Sequence, residues 1–140
     1  MNENVYGKAK IYGYARVYSN AKVFDYTSVY GIARVYGKAK IFGIARVYGY
    51  ASVFGKARVY DFASVCGKAK IYGNASVYGK AKIYGYVKVC GKAKIGGTLK
   101  LKGNFSISEG TYDNTQSDNY DKDKEYVITN YQELQQYRIN

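Results

Sequence analysis

The sequence predicts an all-β fold, a parallel β-helix, and three observations predict it. A six-residue unit recurs from Val5 to Ile107, beginning Val5-Tyr6-Gly7-Lys8-Ala9-Lys10 and Ile11-Tyr12-Gly13-Tyr14-Ala15-Arg16. A fixed short period over most of a chain is the mark of a solenoid. Ala and the Val or Ile that follows it stand two residues apart, the period of a strand with one buried face. Proline is absent, which suits long unbroken ladders, since proline cannot donate to one.

Each unit divides into a four-residue strand and a two-residue corner. In Ala9-Lys10-Ile11-Tyr12, Ala9 and Ile11 share the inward face, while Lys10 and Tyr12 point out. Gly13-Tyr14 then turns the chain. The first corner position is Gly in fourteen units and Ser19, Asp25 or Asp61 in the other three. These types tolerate the positive-φ or tight-turn conformations a corner needs.

Small-x-aliphatic triplets such as Ala33-Arg34-Val35, Ala57-Arg58-Val59 and Ala81-Lys82-Ile83 are each followed by an aromatic and a corner residue. In this the chain resembles the hexapeptide-repeat left-handed β-helix superfamily, best known from acyltransferases, over about three quarters of its length. The resemblance implies a single-stranded left-handed parallel β-helix in the form of a triangular prism. Three units, 18 residues, would make one coil, so positions eighteen apart would stack. A right-handed β-helix is the alternative, but its coils are less regular in length. At ~4.8 Å per rung, fewer than six coils make a rod roughly 27 Å long.

This frame assigns side chains to faces and edges. The first face carries Lys10, Ser28, Arg46, Ser64 and Lys82 outward. The edge before it carries Lys8, Tyr26, Ile44, Phe62 and Lys80, and the edge after it Tyr14, Ile32, Tyr50, Lys68 and Tyr86. The third edge carries Asn20, Lys38, Lys56, Asn74 and Lys92. Arg16, Arg34, Lys70 and Lys88 stand on one side of it, and Lys22, Lys40, Arg58 and Lys94 on the other. The expectation is a rod with one apolar flank and one basic flank. Three outward aromatic ladders are expected as well: Tyr6-Phe24-Phe42-Tyr60-Tyr78, Tyr12-Tyr30-Tyr48 and Tyr18-Tyr36-Phe54-Tyr72. Stacked rings would cover a thin Ala/Val core and pair with neighbouring cations.

Two regions follow: the repeat over 1–107 and an acidic tail over 108–140. The inward column enlarges through Val87, Leu99 and Phe105 toward closure of the prism. Residues 108–125 read as a polar loop and 125–130 as one strand. Asn130 followed by Glu133 reads as a capping box for a short helix with Tyr131, Leu134 and Tyr137 on one stripe. That helix would cap the open end, since solenoids need a cap, or reach a neighbouring rod. The tail could also fold back over the basic side.

Charge divides the same way. Residues 1–108 hold 19 Lys/Arg against three acids, about +16, and 109–140 hold three against seven, about −4. A basic body suits an anionic partner, namely an acidic protein, a nucleoprotein or nucleic acid. The first residues lack the cationic lead and apolar run of a signal peptide, and no stretch of ~18 apolar residues is long enough to span a membrane. With Cys66 and Cys90 read as free thiols, the expectation is a cytoplasmic protein. The frame places the two cysteines on different faces, out of disulfide reach.

The acyltransferases of the superfamily use a His as general base, and this chain has no His. Asp25 and Asp61 are explained by corner geometry and lie two coils apart. No catalysis, metal or cofactor is therefore expected, and the reading is a non-catalytic interaction scaffold. Arg34, Lys38, Lys40, Lys56, Arg58, Lys70, Lys88, Lys92 and Lys94 would dock a polyanion or acidic partner. Tyr14, Tyr26, Tyr30, Ile32, Ile44, Tyr48, Tyr50 and Phe62 would join copies into a dimer or trimer. A phage or host inhibitor of a nucleoprotein machine is one setting for such a module. A nucleic-acid-binding protein and a diverged acyltransferase are the alternatives.

Overall fold

The computed structural model describes residues 4–140. The reading of the first residues as lacking a leader segment falls partly on Met1, Asn2 and Glu3, outside that span. Three parallel sheets run along the rod. The first contains Lys10–Ile11, Ser28–Val29, Arg46–Val47, Ser64–Val65, Lys82–Ile83, Leu99–Leu101 and Tyr126–Ile128. The second has six strands from Arg16–Val17 to Ser106–Ile107, and the third six from Lys22–Val23 to Thr111–Tyr112. Register advances by one 18-residue coil, as in Lys10↔Ser28, Arg16↔Arg34 and Lys22↔Lys40.

Regular pairing covers two residues per unit rather than four. The flanking Ala and aromatic residues already bend toward the corners, yet their amides keep bonding upward. Tyr12 N donates to Val29 O at 3.0 Å, and at the corner Tyr14 N donates to Gly31 O at 2.8 Å. Each coil is thus tied to the next around its perimeter, which satisfies the backbone without long strands.

The inward Ala and Val/Ile positions form one continuous core, and from Ala21 to Ile95 nearly all of them have no exposure. Thr27 takes an Ala place and is buried as well; its hydroxyl donates to Phe24 O at 3.0 Å. Ser19, Asp25 and Asp61 adopt φ of 58°, 65° and 59°, the conformation glycine takes at the other corners. The two carboxylates offset that strain by accepting from the next coil, Asp25 from Gly43 N at 2.9 Å and Asp61 from Gly79 N at 3.0 Å.

Outside, the ladders form as the stacking frame predicts, except that the first rung, Tyr6 on Phe24, does not stack. Tyr12, Tyr30 and Tyr48 stack at 4.9 Å, and Tyr18, Tyr36, Phe54 and Tyr72 at 4.9–5.0 Å. Phe24, Phe42, Tyr60 and Tyr78 form the third column. It ends where the Tyr78 ring fills the space a side chain at Gly96 would need.

One feature of the first face differs from expectation. Ser64 is outward by alternation, but it is buried, as are Ser52 and Ser76 on the other faces. A serine between two long side chains one rung away on each side is overtopped by them.

The coil also continues past residue 107. Within the stretch read as a loop, Thr111–Tyr112 joins the third sheet and Tyr112 takes a core position with no exposure. Tyr126–Ile128 then adds the last strand of the first sheet, as the sequence suggests. Asn130 caps the helix Tyr131–Gln135 by accepting from Glu133 N at 2.9 Å. The return bond of Glu133 goes to Thr129 N and Oγ1, at 2.7 and 2.8 Å, rather than to Asn130. Leu134 seals the core and Tyr137 packs against it. Tyr131, read on the same stripe, opens the helix and is 41% exposed rather than packed with them.

Candidate functional site

Parallel register with an 18-residue coil converts the hexapeptide lysines into columns. Lys22, Lys40 and Arg58 occupy consecutive rungs of the third sheet. Lys38 and Lys56 stand beside them on the third edge, one coil apart. Side chains of Lys38, Lys40, Lys56, Arg58 and Asn74 line a shallow groove of about 330 Å³. All nine cations read from the sequence as a dock are exposed: Arg34, Lys38, Lys40, Lys56, Arg58, Lys70, Lys88, Lys92 and Lys94. Among the described residues the one ion pair is Lys100–Glu125, at 2.6 Å and near the capped end. The acidic tail therefore joins the end of the rod through its strands and helix, and none of its carboxylates is paired with these nine cations.

The apolar set is less uniform. Tyr14, Tyr26, Tyr50 and Phe62 are 83%, 62%, 59% and 57% exposed, and Ile32 and Ile44 are nearly half exposed. Tyr30 and Tyr48 instead sit half-buried inside their ladder, ring against ring. A hydrogen bond with the Cys66 side chain, together with burial, pushes the Tyr48 phenol up to about 12. Cys66 and Cys90 are free, and each continues a tyrosine ladder by one rung. Cations interrupt both apolar edges. Lys8 lies over Tyr26, and Lys68 lies between Tyr50 and Tyr86 at 5.9 and 5.4 Å from the ring centroids.

The sequence frame keeps the apolar and basic residues on separate flanks, and the structure brings them together in a groove along the edge after the first face. Arg16, Arg34 and Lys70 on the second sheet meet Tyr14, Ile32 and Tyr50 on the adjoining edge. Together with Ser52 and Lys68 they line a groove of about 460 Å³. The frame places Lys68 on this edge, but neither Ser52 nor Lys68 is among the site residues that the sequence points to. The signal is present in the sequence: Arg34, Ser52 and Lys70 are spaced by 18, and they stand two residues after Ile32, Tyr50 and Lys68 of the adjoining edge.

Among the described residues no group of three His, Cys, Asp or Glu side chains could hold a metal ion. No helix among them is long and apolar enough to cross a membrane. No protein-family model, curated protein or solved structure matches the chain. The class that the fold defines is a parallel β-solenoid of 18 residues per turn with exposed cation columns.

Proposed function

We propose that this β-solenoid is a non-catalytic scaffold whose third edge and flanking faces dock an anionic partner, an acidic protein surface foremost. One observation carries the reading, the registered cation columns. Like charges ~4.8 Å apart repel by up to about 0.9 kcal/mol per pair even at the dielectric of water. Lys22, Lys40 and Arg58 accept that repulsion on successive rungs, with no carboxylate of the described chain paired to them. A partner with a row of carboxylates would relieve it. A rigid rod loses little conformational freedom on binding, which favours such a dock. The absence of His from the sequence supports a role outside the superfamily's acyl-transfer chemistry.

The test is binding of polyglutamate to the full chain, by fluorescence anisotropy, across a range of salt. Lys38→Glu, Lys56→Glu and Arg58→Glu combined are expected to lower affinity by more than tenfold and to flatten its salt dependence. Unchanged affinity and slope would refute the assignment.

Self-association is a second reading, favoured by the exposed column Tyr26, Ile44 and Phe62. An apolar strip of this kind is uncommon on an isolated rod. Sedimentation at micromolar concentration is expected to give a dimer or trimer that Ile44→Glu converts to monomer. A wild-type monomer would end this reading.

A further inference from the structure

The groove between the second sheet and its apolar edge has a different chemistry from the third edge. Its cation column is notched at Ser52, as those of the other two sheets are at Ser64, between Arg46 and Lys82, and at Ser76, between Arg58 and Lys94. Ser52 pairs in register with Arg34 on one side and Lys70 on the other. Two long cationic side chains thus stand about two rungs, or ~10 Å, apart with a short hydroxyl between them. Ser52 is 3% exposed, and its hydroxyl has no hydrogen-bond partner among the described residues, yet it lines the groove. The serine itself belongs to the repeat; at Ser52 the notch opens into the groove of about 460 Å³, beside Tyr50 and Ile32. A guanidinium, a hydroxyl and an ammonium in one column are three kinds of donor facing one gap. That set suits a phosphate, which offers several acceptor oxygens and carries charge.

Across the groove the wall is apolar. Tyr50 precedes Ser52 by two residues, so the two columns are separated by up to about 7 Å of chain. Lys68 lies over Tyr50 at 5.9 Å. In the other direction along the edge the next residue is the smaller Ile32, with Tyr14 beyond it. A planar ring laid against Tyr50 and Ile32 would be held by stacking and apolar contact. A ring bonded directly to the phosphate would not span both columns, whereas a sugar between phosphate and ring would.

We propose that this groove is a nucleotide site. The phosphate sits between Arg34 and Lys70 with the Ser52 hydroxyl donating to it, and the base packs on Tyr50 and Ile32. Arg16 and Lys68 add charge at the two ends. The site is distinct from the third edge and does not depend on the acidic-partner reading.

The experiment titrates the full chain with adenosine 5′-monophosphate, adenosine, inorganic phosphate and a short oligodeoxyadenylate, followed by amide chemical shifts and calorimetry. Shifts are expected to centre on Ser52 and its rung neighbours, with the monophosphate binding at least tenfold more tightly than adenosine or phosphate. Ser52→Ala, which keeps charge and shape, should weaken it about fivefold. Arg34→Gln should weaken it more than tenfold, and Tyr50→Ala should remove the preference over inorganic phosphate. The combined Lys38, Lys56 and Arg58 reversals should leave monophosphate binding in place, which separates this site from the polyanion dock. If the oligodeoxyadenylate binds more tightly than the monophosphate and loses the same factor in Arg34→Gln, the ligand is a nucleotide within a strand; equal binding assigns it to the free nucleotide. Wild-type affinity in both Ser52→Ala and Arg34→Gln, or equal affinity for phosphate and the monophosphate, would overturn the proposal.

Discussion

Gly67→Ala is expected to destabilise the rod by about 2–5 kcal/mol. Two costs add. Gly67 holds φ of 63°, a left-handed conformation that costs an L-residue about 1–2 kcal/mol. A Cβ there would also stand 2.7 Å from Gly85 N, backbone of the next coil, and the coils cannot part without losing the bonds between them. Overpacking of that kind adds about 1–3 kcal/mol. Gly7→Ala shares the first cost, with φ of 62°, but its Cβ would lie 3.3 Å from the nearest atom, so its loss should be about 1–2 kcal/mol. Gly67→Asp should fall between them, because a carboxylate at this corner can accept from the next coil as Asp25 and Asp61 do. Since each coil touches only its neighbours, Gly67→Ala should also split the denaturation curve toward two transitions. Equal losses at Gly7 and Gly67 in urea denaturation would contradict the stacked-corner explanation.

Ile71→Ala is expected to cost about 2–5 kcal/mol, the range for deleting an aliphatic side chain from a packed core. Ile71 has no exposure and stacks in register between Val53 and Val89, so its neighbours are held by their own rungs and cannot collapse into the gap. Ile44→Ala removes the same atoms from a side chain that is 49% exposed and should stay within about 0.5 kcal/mol of wild type. Chemical denaturation of the two variants side by side checks this. Similar losses would mean that the inward and outward sets are wrongly divided.

Much of this architecture is written in the period. The Ala-x-Val/Ile spacing separates inward from outward positions, and the 18-residue coil, once adopted, stacks Tyr12 on Tyr30 and Lys22 on Lys40 as found. Corner chemistry was legible too, since Asp25 and Asp61 stand where a positive φ is required. Three things were not. Ser52, Ser64 and Ser76 are outward by alternation but buried by the length of their neighbours, and alternation carries no information about height. Tyr112 closes the coil with a residue type that through the hexapeptide repeats points outward, so its strand reads as loop. The groove at Arg34 and Tyr50 went unseen because residues were sorted into an apolar flank and a basic flank. A triangular rod places the last column of one beside the first column of the other.

The central claim is that the cations of the third edge act through their position and not through charge alone. Two triple variants with the same change in net charge decide it. One reverses Lys38, Lys56 and Arg58. The other reverses Lys8, Lys80 and Lys82, which lie along the first face and the edge before it. With polyglutamate at moderate salt, the account predicts more than a tenfold loss of affinity in the first variant and less than about twofold in the second. Equal losses in the two would contradict it.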